Sequence, residues 1–222
     1  MQHRTIGDLM TRPVVHVRTD TTFKAVVATL AHNDVTAVPV VDDIGRPVGV
    51  VSEADLVRRI AQRPDPAGPT RLPEPTDRST GENVTVEELM TTPAVCARPE
   101  WTVVEAARIM VAEGVKRLPV VDEAERLVGI VSRGDLLRVF LRRDDSQREE
   151  ISRDVLVRTL GLAPADMTVE VDEGQVTIAA LLDDAQLVPV VERLCLGVDG
   201  VVSVDMHVSG RGAGTGPVGT RD

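Results

Sequence analysis

One segment occurs twice in this chain, and the two copies keep a constant distance. Leu9-Met10-Thr11-Arg12-Pro13 returns as Leu89-Met90-Thr91-Thr92-Pro93, and Pro39-Val40-Val41-Asp42 returns as Pro119-Val120-Val121-Asp122. Gly49-Val50-Val51-Ser52-Glu53-Ala54-Asp55 returns as Gly129-Ile130-Val131-Ser132-Arg133-Gly134-Asp135, and the offset, 135 minus 55, is the same at every landmark. A structureless segment has no packing reason to keep its internal distances, so one supersecondary unit is used twice. Two copies of a unit predict two equivalent clefts.

Within a copy the apolar periodicity alternates. Residues 13–17 read as a short strand, residues 22–32 as a helix with Phe23, Val26, Val27 and Leu30 at helical spacing, and residues 37–41 as a second strand. A turn at 42–46 leads to a third strand at 47–51 and a second helix at 52–61. The second copy repeats this pattern over 94–97, 103–113, 117–121, 127–131 and 132–141. The order is β-α-β-β-α. Such a unit buries only one sheet face by itself, so the copies must pair. His16 sits in an apolar strand and is expected in the core, while Phe23 and Trp101 hold matching positions suited to packing.

Composition narrows the function classes. A net charge of -10 repels nucleic acid and anionic membrane surfaces, so neither is an expected partner. No apolar run reaches the roughly twenty residues of a membrane helix, and no signal-peptide core follows Met1-Gln2-His3-Arg4-Thr5, so the expected location is cytoplasmic. Cys96 and Cys195 lie in apolar stretches without ligand spacing and read as reduced, buried thiols. The acidity is concentrated: residues 146–208 hold four arginines against twelve acids. Residues 63–84, with five prolines, read as an extended linker, and residues 209–222 as a disordered tail.

The Leu-Met-Thr-x-x-Pro start, the Pro-Val-Val-Asp strand and turn, and the Gly-h-h-Ser-x-x-Asp end, where h is apolar, resemble the cystathionine-β-synthase (CBS) domain family. The resemblance covers residues 6–62 and 85–142 and implies a tandem pair, a Bateman module. It implies an α/β (α+β) fold with two β-α-β-β-α repeats packed about a pseudo-two-fold axis. It further implies adenosine-containing ligands in the clefts and a homodimer formed through the modules.

Ser52…Asp55 and Ser132…Asp135 have two readings. A serine that opens a helix and an acid three residues on form a capping box. The same carboxylate can also accept both hydroxyls of a ribose, while the serine and helix N-terminus offer donors to phosphate. Gly49 and Gly129, lacking Cβ, are expected to let a ligand approach the strand. Lys116, Arg117 and Arg133 stand where the first copy has Thr36, Ala37 and Glu53, so the Asp135 cleft is expected to take a phosphorylated ligand and the Asp55 cleft to bind it more weakly or to prefer an uncharged adenosine moiety, unless Lys116 or Arg117 reaches across to serve both. Val14, Val38, Ala94 and Leu118 are candidates for adenine walls by resemblance, and equally plausible as ordinary core.

Residues 146–208 read as α-β-β-α-β and resemble a BON domain through Val-Glu-Val-Asp-Glu-Gly-Gln-Val-Thr-Ile and Gly-Val-Asp-Gly-Val-Val-Ser-Val, although Ala180 replaces the family's usual glycine. Its charge favours an unknown protein partner over membrane contact. No enzyme is expected: the four histidines are scattered, and Asp183-Asp184 complements a helix start. The reading is a regulatory sensor of AMP, ADP, ATP or S-adenosylmethionine, relayed through the BON domain. The rival is a ligand-free scaffold that dimerises through the CBS pair and adheres through the BON domain to protein or membrane.

Overall fold

The computed structural model describes residues 4–63, 65, 84–181 and 185–209. Most of the proline-rich stretch, the Asp183-Asp184 pair and the tail from 210 onward lie outside the described residues. The chain divides into two compact units, Thr5–Leu136 and Leu137–Asp222 with Met1–Arg4. Among the described residues, no helix is long and apolar enough to cross a membrane.

The first unit contains the first copy and the second as far as Leu136. A short helix α1 (Ile6–Leu9) precedes β1 (Val17–Arg18), α2 (Phe23–His32), β2 (Ala37–Val41), β3 (Pro47–Ser52) and α3 (Glu53–Ala61). The second copy opens with a 3-10 turn (Val86–Glu88) and continues with α4 (Val103–Ala112), β4 (Arg117–Val121), β5 (Leu127–Ser132) and α5 (Arg133–Leu137). The first strand of each copy is weaker than its apolar run suggests. β1 pairs parallel with β2 over two residues, and its equivalent in the second copy is the single bridge Ala97↔Val120. His16 consequently lies exposed outside β1, its Nδ1 within 3.1 Å of the Val14 carbonyl, and not in the core.

The hairpins have the same construction. Asp42 Oδ1 accepts the N–H groups of Ile44 and Arg46 at 3.0 and 2.8 Å, and Asp122 Oδ1 accepts those of Ala124 and Arg126 at 2.9 and 2.8 Å. An aspartate thus replaces a backbone acceptor in each turn. The left-handed turn position holds Gly45 in one copy and Glu125 in the other.

The copies exchange their opening segments. Ile6 N–H donates to Trp101 O at 2.8 Å and Gly7 N–H to Pro99 O at 2.7 Å, while Val86 N–H donates to Thr21 O at 2.8 Å. Bridges Thr11↔Ile130 and Val50↔Thr91 extend the exchange to the third strands. Ile6 and Met10 therefore complete the second copy's core, with Ala106, Met110, Leu118 and Val131. Val86, Leu89 and Met90 complete the first, with Val26, Leu30, Val38 and Val51. Neither core closes with its own segment, which is the physical form of the pairing requirement.

The second unit has the element order of the sequence reading, with different boundaries. α6 (Asp144–Glu150) begins earlier than expected and continues as a π-helix over Ile151–Thr159. β6 (Met167–Asp172) and β7 (Gln175–Leu181) form an antiparallel hairpin; α7 (Val188–Leu196) leads to β8 (Ser203–Ser209), which joins β7 in parallel. Ala180 pairs with both Met167 and Val208, so β7 runs unbroken through this position.

Cys195 is fully buried in this unit's core, and burial pushes its thiol up to about 12. Cys96 is half-buried, raised by burial and then by Glu125. The reactive species is the thiolate. At about pH 8 an alkylating reagent is expected to label Cys96 in the native protein, and Cys195 only after unfolding, as read by mass spectrometry. Equal labelling rates would contradict the burial order.

Candidate functional site

A cavity of 660 Å³ opens in the first unit where the two copies meet. Its position follows from the segment exchange: α3's N-terminus and the start of β2 form one side, while residues 91–95 and 113–117 of the second copy form the other. Ser52, Asp55, Lys116, Arg117 and Ala94, all singled out in the sequence, line it together.

At the centre is the Ser52–Asp55 pair. Ser52 N–H and Oγ donate to Asp55 Oδ2 at 2.9 and 2.6 Å, and Arg58 Nη1 donates to Asp55 Oδ1 at 2.9 Å. Asp55 is 8% exposed, whereas the Arg58 side chain is 67% exposed. A carboxylate oxygen has more than one acceptor direction, so these bonds leave Asp55 able to receive a diol's hydroxyls. The Arg58 guanidinium reaches Asp55 from the solvent side, so a ligand hydroxyl can displace it into water.

The equivalent group is built alike: Ser132 N–H and Oγ donate to Asp135 Oδ2 at 2.8 and 2.7 Å. Asp135 N–H closes the box on Ser132 Oγ at 3.3 Å. Arg133 is exposed beside it, its Nε 3.1 Å from the Val115 carbonyl. Val14 is half-buried, at the position Ala94 holds in the other copy, and does not line the Asp55 cavity.

Three expectations change. Val38 and Leu118 are 1% and 0% exposed and belong to the two cores, so they are not adenine walls. Ala37 and Val95 line the cavity instead. Strand alternation explains the first exchange, since adjacent residues of β2 face opposite sides. Gly49 and Gly129 also serve a different purpose. A Cβ on Gly49 would lie 2.5 Å from Met90 Sδ and 2.9 Å from Thr91 O, and one on Gly129 would collide with Met10 Sδ. The glycines admit the exchanged methionines, not a ligand.

The third change concerns charge. Lys116 and Arg117 line the cavity that contains Asp55, with Arg117 Nη2 donating to Thr36 Oγ1 at 2.7 Å across the repeats. The second copy's cations thus face the first copy's carboxylate, which is the cross-cleft alternative. Burial lowers the Arg117 pKa from its ordinary value, while Glu53 and Asp135 oppose that shift. Sequence reasoning missed Glu53 and Glu113, two acids on the same wall. Glu53 directly follows Ser52, and Glu113 ends α4 three residues before Lys116, so loop adjacency to the motifs was the available signal.

Among the described residues, no group of three or more His, Cys, Asp or Glu could hold a metal ion. The family model for the CBS domain matches residues 6–62 and 86–142. This chain belongs to the CBS-domain family. The uncharacterized protein MJ1426 of Methanocaldococcus jannaschii is 33% identical to this CBS protein over 153 residues, 61% of this chain and 90% of that one. The chloroplastic CBS domain-containing protein CBSX2 of Arabidopsis thaliana is 32% identical over 152 residues, 62% of this chain and 64% of its own length. A solved CBS domain pair, MJ0100 in complex with 5'-methylthioadenosine and S-adenosyl-L-methionine, shares the fold with a TM-score of 0.51 at 24% identity, covering 63% of this chain and 97% of that one.

Proposed function

We propose that this CBS protein is a regulatory sensor whose Asp55 cavity binds an adenosyl ligand. The observation that carries the reading is the convergence of a buried carboxylate, a helix N-terminus and two cations on one 660 Å³ cavity between repeats. Asp55 accepts the ribose hydroxyls, Ala37, Ala94 and Val95 flank the base, and Lys116 with Arg117 receive a phosphate or carboxylate. The charged lining, Glu53, Asp55 and Glu113 against Lys116 and Arg117, is nearly balanced. Such a wall accepts AMP, and it also suits the zwitterionic tail of S-adenosylmethionine, the kind of ligand carried by MJ0100. Ser132, Arg133 and Asp135 are the second candidate group.

The reading extends to assembly. Val27 on α2 with Val57 and Ile60 on α3 are 41%, 62% and 52% exposed, an apolar face that suits a homodimer of the pair. The C-terminal unit acts as a BON domain that passes occupancy to a protein partner; its α-β-β-α-β order and acidic surface support this role. A ligand that binds one arrangement of the repeats better shifts its population.

A thermal-denaturation series with adenosine, AMP, ADP, ATP and S-adenosylmethionine tests the reading. At a hundredfold excess over Kd, one of them raises stability by about 2.7 kcal/mol, a Tm increase of roughly 5 to 10 °C for a chain of this size. No shift with any of the five at millimolar concentration leaves the ligand-free scaffold as the account.

A further inference from the structure

Arg117 has no counterpart in the first copy, where the equivalent position is Ala37. It lines the Asp55 cavity and crosses to the start of β2, donating to Thr36 Oγ1. Thr36 in turn accepts the Glu53 N–H on its carbonyl at 3.0 Å, which fixes Glu53 beside the guanidinium. On the other side, the β4–β5 register sets Arg117 opposite Ser132, the residue whose N–H and hydroxyl hold Asp135. Asp135 does not line the cavity. One guanidinium therefore stands between an acid within the cavity and an acid of the other repeat's motif.

We infer that Arg117 is a specificity-determining residue through which Asp135, outside the cavity, sets how strongly the Asp55 cavity prefers phosphorylated over unphosphorylated adenosyl ligands. The inference rests on the adenosyl reading of that cavity. A phosphate entering the cavity draws the guanidinium away from Thr36 and from the field of Asp135, so the carboxylate competes with the ligand for a single cation. A guanidinium remains charged at any physiological pH, so position and not protonation is what changes. The opposing pulls that Glu53 and Asp135 exert against the burial of Arg117 agree with this arrangement. The coupling is reciprocal: a phosphate in the Asp55 cavity must weaken the hold on Asp135 by the same factor with which Asp135 weakens the phosphate. Since Ala37 cannot play this part, the relation runs through the second copy's side chain alone. Exposed Lys116 adds attraction for the phosphate.

Calorimetric titration of the full chain with AMP and with adenosine tests the inference in four proteins: wild type, Asp135→Asn, Arg117→Gln and the double variant. Asp135→Asn keeps a side-chain acceptor for Ser132. It is expected to raise the preference for AMP over adenosine at the Asp55 cavity by about fivefold, the weak end of ordinary coupling. Arg117→Gln is expected to weaken AMP by about tenfold and to do so more than it weakens adenosine. In the Arg117→Gln background, Asp135→Asn should no longer raise the preference for AMP. The inference is overturned if Asp135→Asn moves AMP and adenosine alike, or if its effect persists without Arg117. A wild type that binds neither compound overturns the inference, and one that also binds no S-adenosylmethionine overturns the adenosyl reading itself, while adenosine binding with AMP indifferent to Asp135 overturns the coupling alone.

Discussion

Replacing Ile6 by alanine is expected to destabilise the CBS pair by about 3 kcal/mol, although Ile6 lies at the start of the first copy. The side chain is fully buried, and the core it fills belongs to the second copy. Truncation leaves a cavity among Ala106, Met110 and Leu118, and that core has no neighbouring segment of its own to collapse into the space. Ile44, 60% exposed in the first hairpin, is the control, and Ile44→Ala should stay within about 0.5 kcal/mol. Trp101 is the chain's one tryptophan and packs against the same core, so its fluorescence reports this unit during denaturant unfolding. Equal, small effects of the two substitutions would mean that the exchanged segment contributes little to closing the core.

The repeat was legible because a constant 80-residue offset needs no knowledge of contacts. Helices α2, α3 and α4 and the two antiparallel hairpins lie within a residue or two of their expected spans, since each has local signals: an N-cap threonine or serine, an aspartate turn, an alternating run. What sequence did not show was which copy's segment fills which core. That is a long-range pairing, and Ile6 and Val86 look equally apolar in either arrangement. The same exchange accounts for the corrected glycines, because Met10 and Met90 reach Gly129 and Gly49 only across the repeats. The site was legible in part: Ser52, Asp55, Ala94, Lys116 and Arg117 converge as the motifs suggested. Val38 and Leu118 did not, because one step along a strand turns a side chain from cavity to core.

The second large effect concerns binding. Asp55→Ala is expected to weaken adenosine by about a hundredfold, the loss of two hydrogen bonds to a charged acceptor. Adenosine is the informative ligand, because it has the ribose diol and no phosphate for Lys116 or Arg117. The stability cost should be smaller, about 1 kcal/mol for a lost helix cap, since α3 keeps Ser52 at its N-terminus. The two roles of Asp55 thus separate in magnitude: the cap is worth a modest change in unfolding, the diol two orders of magnitude in affinity. Exposed Arg58, released from Asp55 Oδ1, can return to solvent without leaving a buried charge.

Titrating wild type and Asp55→Ala with adenosine in a calorimeter is therefore the direct test of the adenosyl site. The account predicts saturable binding to the wild type and a Kd about a hundredfold higher for the variant, with the folded state retained. Adenosine bound equally tightly by both proteins would show that Asp55 only caps α3 and that the ligand site lies elsewhere.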